Sequence, residues 1–197
     1  RPYAGLSFTH FQDAFLGWHD RSTAIECAYR SASQGLDVDA LDPAAHWSLG
    51  RALWLRGEAD ASLRELDTSI EISPNFAHGH YTRGFVHSQS GDPLQAIASA
   101  DHSRALSPYD PLLFGMLGAR AMALMRLGRH DDAVKAALEA ADRPNAHVHI
   151  LAVAAHALGL AGRDADARRF VARIGEAVPG YRSADFTAAF HFADDAQ

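Results

Sequence analysis

Residues 46–75 read HWSLGRALWLRGEADASLRELDTSIEISPN, and residues 80–109 read HYTRGFVHSQSGDPLQAIASADHSRALSPY. Laid over each other at an offset of 34 they need no gap: Gly50 falls on Gly84, Gly57 on Gly91 and Pro74 on Pro108. The interval recurs between Gly84 and Gly118 and between Gly128 and Gly162. Markers of different chemistry sharing one period identify a repeated unit, and a period in this range belongs to arrays in which each unit buries its apolar face against the next.

Each unit reads as two helices. A run such as Trp47, Leu49, Leu53, Trp54 recurs with helical spacing and ends at a glycine suited to a left-handed helix-end conformation. A second run, Leu63, Leu66, Ile70, Ile72, stops before a proline that cannot continue a helix. Small residues occupy positions where paired helices must touch: Gly50 and Gly84 in first helices, Ser62, Ala96, Ala133 and Ala167 in second ones.

Composition narrows the function. In 197 residues, 18 basic side chains against 24 acidic ones give a formal net charge of -6, so no basic surface is available to neutralise many phosphates, and nucleic acid is not an expected partner. Cys27 is the single cysteine, which excludes an internal disulfide framework and fits a reducing, cytoplasmic setting. No apolar run approaches the roughly 18 residues of a membrane span, so a membrane is not expected as a partner either. The chain opens RPYAGLSF, without Met and already inside an apolar pattern, which reads as a piece of a longer protein.

These residues resemble a tetratricopeptide repeat (TPR) protein: the 34-residue period, Leu49-Gly50, the small residues at 62, 96, 133 and 167, and the prolines at 74, 108 and 179. The resemblance implies an all-α fold, a right-handed α-α superhelix of about five helix pairs with a short C-terminal capping helix. The whole chain is then one array. Residues 1–42 form a degenerate repeat, 43–76, 77–110, 111–145 and 146–180 regular ones, and 181–197 the capping helix and tail. His46 and His80 stand where the family often has tryptophan. Gly91 to Gly128 spans 37 residues; with Gly118 in register, the three extra residues are expected between 118 and 128, in one helix lengthened by almost a turn.

LSPYDPLLF, RPNAHVHILA and GYRSADFTAAFHF further resemble the C-terminal repeat region of bacterial multidomain regulators, in which a class III adenylate cyclase or a winged-helix domain precedes such an array. That resemblance implies a regulatory, protein-binding module of a signalling protein.

Within the chain itself, chemistry is not expected. His147 and His149, two apart in a helix, would diverge by about 200°. His149 and His156 share a face but lie roughly 10 Å apart. No two of the twelve histidines are three or four apart, so the helical metal pattern is missing. Cys27, beside Ala24 and Ala28, reads as a small buried thiol. No cofactor, catalytic residue or metal ligand is therefore assigned, and an interdomain active site is the alternative reading. In RPNAHVHI (143–150), Asn145 is expected to cap a helix with His147 in its first turn.

By resemblance to the family, certain positions of each first helix line a concave groove. Carried over residue by residue they are Trp47, Arg51 and Trp54; His78, Tyr81, Phe85 and Gln89; Met122 and Arg126; and His149 and His156. The set suits an extended peptide or a partner domain, an upstream domain of the same chain included. Trp47 and Tyr81 stand where chaperone-binding relatives need lysines and asparagines, so capture of an acidic C-terminal tail is not expected. Self-association into a homo-oligomer through the end repeats is a further alternative.

Overall fold

A computed structural model describes residues 2–192. Among the described residues there are eleven helices and no strands: α1 (Pro2–Leu16), α2 (Arg21–Val38), α3 (Pro43–Leu55), α4 (Ala59–Ile72), α5 (Ala77–Ser90), α6 (Pro93–Leu106), α7 (Leu113–Arg126), α8 (His130–Ala141), α9 (Val148–Leu160), α10 (Asp164–Ala177) and α11 (Ser183–Ala189). The chain divides into two compact units, Arg1–Val86 and His87–Gln197, the division falling inside α5. Residues 193–197 of the expected tail lie outside the described residues.

In the first unit α1 packs on α2, α3 on α4 and α2 on α3, while α1 also lies against α3. Short polar links fold the pairs back, and aspartates start α2 and α3. Asp20 accepts from the Thr23 amide at 2.9 Å, and Asp42 from the Ala44 amide at 3.0 Å with Pro43 in the first turn. The α3–α4 contact is tight: a Cβ on Gly50 would stand 2.8 Å from Leu66 Cγ and 3.2 Å from the Ser62 carbonyl oxygen. This is the close approach that the small residues at 50 and 62 imply.

In the second unit α7 packs on α8, α9 on α10, α6 on α7 and α8 on α9, with α7 against α9. Its core holds Met116, Leu117, Leu124, Ala133, Val153 and Leu158.

The repeat is visible as recurring bonds as well as recurring residues. His46 and His80 each reach a backbone carbonyl six residues earlier, of Ala40 and Pro74. Arg129–Asp132 and Arg163–Asp166 form the same pair at 2.7 Å, 34 residues apart. Arg83–Asp67 and Arg120–Asp101 form the same bridge at 2.9 Å.

That last pair corrects the expected register. Helices α4, α6, α8 and α10 begin at 59, 93, 130 and 164, steps of 34, 37 and 34. Yet α7 has 14 residues, as many as α5 and no more. The extra residues enter at the link before α7 instead. Residues 107–112 separate α6 from α7 where only 73–76 separate α4 from α5; with Arg120 answering to Arg83 and Gly128 to Gly91, each 37 apart, all three extra residues precede Arg120. Loop lengthening leaves helix packing intact, which an added turn would not. Since Arg120 takes the place of Arg83, the residue equivalent to Gly84 is Ala121, fully buried, and the 34-residue match of Gly118 is a coincidence of sequence.

Three local expectations also change. Gly57, Gly128 and Gly162 take φ of 80°, 69° and 71°, as expected, but Gly91 does not; its Cβ would collide with His87 Nδ1, so close approach accounts for that glycine. Cys27 is half-buried, not buried. Finally, α9 starts at Val148 with His147 as its capping position in extended backbone, and Asn145 donates to the Pro111 carbonyl at 3.1 Å instead of capping.

Candidate functional site

Within the first unit, the expected groove residues of α3 and α5 meet three rings from α1. Phe8, Phe11 and Phe15 recur on one face of α1. Phe8 lies 5.5 Å from Trp47, Phe11 and Phe15 each 5.9 Å from Trp54, and Phe15 6.1 Å from Phe85. Trp54 and Phe85 close the cluster at 4.8 Å, and His78 stacks on Trp47 at 5.2 Å.

Arg51 stands in the middle of these rings. Its Cζ is 3.7 Å from the Phe11 centroid, 5.0 Å from Phe8, 5.4 Å from Trp47 and 6.0 Å from Tyr81. Nη1 donates to Thr82 Oγ1 at 3.4 Å, an oxygen that also accepts from Trp47 Nε1 at 2.8 Å. Only 6% of Arg51 is exposed, and its bonding partners are the neutral hydroxyls of Thr82 and Tyr81. Burial pushes the guanidinium down to about 10, and bonding to Tyr81 recovers part of that loss. The ring faces supply partial compensation for the desolvated charge.

In the second unit Gln89, Met122 and His149 are buried and Arg126 half-buried. Arg126 Nη1 donates to the His87 carbonyl at 2.9 Å. The His149 ring is hydrogen-bonded to the Tyr181 hydroxyl at 2.7 Å and faces Phe186 and Phe190. Gln89 Oε1 accepts the His191 amide at 3.1 Å. His156 is exposed on α9. Burial holds Tyr181 above its ordinary range, with the Asp185 charge adding to the effect.

The structure therefore brings Trp47, Arg51, Trp54, His78, Tyr81 and Phe85 together in the first unit; in the second, Gln89 and His149 both meet residues 181–191, and Met122, Arg126 and His156 share only the unit with them. The sequence reading missed Phe8, Phe11, Phe15 and Thr82 in the first and Tyr181, Phe186 and Phe190 in the second. The phenylalanines were accessible to it: their three-, four- and seven-residue spacing on α1 repeats the inward pattern of a first helix.

His147 and His149 do come together. Because His147 is extended and not helical, its ring lies 5.5 Å from that of His149, contrary to the divergence expected of two helical residues. Desolvation first, and the His149 charge second, lower His147 to about 3. A metal would need a third ligand, and among the described residues no three His, Cys, Asp or Glu side chains gather as one. Nor, among them, is any helix long and apolar enough to cross a membrane.

No sequence-family profile matches the chain, and no characterised protein matches it in sequence. Solved structures do match. TTC0263 from Thermus thermophilus, described as a thermophilic TPR protein, aligns over 93% of this chain and 98% of its own, at 16% identity and a TM-score of 0.71. The fold is that of a tetratricopeptide repeat protein. Pseudomonas aeruginosa PilF aligns over 94% of this chain and 82% of its own, at 13% identity and a TM-score of 0.69. MamA from Desulfovibrio magneticus RS-1 gives 88%, 94%, 16% and 0.60. At such identities the likeness establishes the TPR architecture of helix pairs, and function must be argued from this chain's own side chains.

Proposed function

We propose that the chain is a non-catalytic protein-interaction module that engages a peptide or partner domain through the inward faces of its first helices. The observation that carries this reading is Arg51. Among the described residues no carboxylate stands beside this buried cation, a costly arrangement in a fold that has acidic residues to spare. A carboxylate on a partner, flanked by apolar residues that meet Trp47, His78 and Tyr81, would supply the missing counter-charge. Burial of such a pair among aromatic rings has the makings of an interaction hot spot. This differs from the lysine-rich clamp for acidic tails, whose residues the chain lacks. The reading extends to a regulatory module in a bacterial signalling protein, supported there only by the sequence resemblance to cyclase- and winged-helix-linked arrays.

The test is comparative capture. The intact chain, Arg51→Gln and His78→Ala are immobilised at equal density, and bound bacterial proteins are quantified by mass spectrometry. A partner held by the native chain and depleted at least tenfold on both variants, whose helicity is unchanged, is expected. Identical capture by all three would overturn the reading.

A further inference from the structure

The second unit carries its own occupant. After α10 the chain turns at Gly180, forms the short α11 and ends its described course in extended backbone at Phe190 (φ -113°, ψ 153°). This segment lies on inward residues of the array. Tyr181 and Phe190 approach the His149 ring at 5.7 Å each, and Phe186 packs on Phe190 at 4.5 Å. Phe190 is 6% exposed although it lies near the end of the described chain. The His191 backbone amide is taken by the side chain of Gln89, 102 residues away and fully buried.

These contacts have the chemistry of peptide recognition and differ from those of a repeat packing on its neighbour. A side-chain amide accepting a backbone N–H, with aromatic anchors beside it, is how extended ligands are held. The capping role needs only that the last pair be covered, yet α10 keeps just Ile174 buried while Val171 on it and Val178 just after it stay exposed. The segment meets α9 through His149 and the end of α5 through Gln89.

We propose that Gln89 and His149 form a binding site for an aromatic peptide, held closed by the chain's own segment 181–192. A competing ligand carries two aromatic side chains four residues apart and continues in extended backbone. Affinity for it is lowered by the fraction of time the latch is seated. This deepens the interaction-module reading at a site separate from Arg51, so a failure of either leaves the other standing.

The experiment uses the intact chain and a fluorescein-labelled synthetic peptide of sequence YRSADFTAAFHF, followed by anisotropy. The native chain should bind weakly. The double variant Phe186→Ser with Phe190→Ser, which unseats the latch, should bind at least about tenfold more tightly. Adding Gln89→Ala to it should remove about fivefold or more of that gain. A helical double variant that binds no better than the native chain overturns the proposal. Should the double variant lose helicity, hydrogen exchange on the native chain decides. Amides of residues 186–192 should open at least about 100-fold faster than those of α9 and faster still with saturating peptide. Exchange of both segments at one common rate overturns the proposal.

Discussion

At the scale of single residues, Arg51 separates a structural cation from a functional one. Its charge is desolvated by Phe8, Phe11, Trp47 and Tyr81, and its partners are neutral hydroxyls. Replacing a buried charge by an apolar residue of similar length is often neutral or stabilising. Arg51→Met should therefore stay within about 1 kcal/mol of the native chain or exceed it in urea denaturation. Arg51→Ala, which also empties the space among the rings, should lose about 2–4 kcal/mol. A large loss in the methionine variant would mark the cation as part of the fold's own stability. The residue itself could be singled out from the sequence, because the repeat register carried over from the family gave it as an expected groove position. Its surroundings were legible only in part, since two of the rings that enclose it, Phe8 and Phe11, come from α1, in the degenerate repeat where the register markers fade.

Helices and their links show where a periodic pattern reads well and where it misleads. Gly50 and Gly118 look equivalent in sequence, yet a Cβ at 50 meets Leu66 and the Ser62 backbone, whereas at 118 it meets only Ile150 Cδ1, the end of a side chain. Gly50→Ala should lose about 1–3 kcal/mol, as overpacking against backbone does, and Gly118→Ala less than about 1 kcal/mol. Equal losses in thermal melts would restore the 34-residue register across Gly118. Helix starts offer an independent check. Asp42 and Asp92 each accept an amide two residues on, at 3.0 and 2.8 Å, so Asp42→Ala and Asp92→Ala should each remove about 1 kcal/mol. The pattern of apolar residues marked which segments are helices because burial enforces it. Link lengths escaped it because loops carry no such periodicity, and the extra residues ahead of α7 shift the count without lengthening any helix.

For the molecule as a whole, the TPR architecture was readable from one period, since stacking identical units leaves few other ways to bury each unit's apolar face. What the period could not convey is how the two units differ, and acid should expose that difference. In the second unit burial lowers His147 to about 3 from 6.5. A base whose folded value lies below its unfolded one takes up protons preferentially when unfolded. Its contribution is therefore complete above about pH 6.5 and is lost as the pH falls toward 3. In the first unit, bonds from Thr23 and Ser22 lower Asp20 to about 2 from 3.8, so its contribution is present above 3.8 and lost only as the pH approaches 2. Hydrogen exchange at pH 4.5 should accordingly show protection falling in α9 while α2 holds, relative to about pH 7. His147→Leu, which removes the titrating ring but keeps an apolar side chain against Phe114, should flatten the acid limb of α9 and leave that of α2 unchanged. Parallel loss of protection in both helices of the native chain would mean that the His147 environment does not govern the acid response.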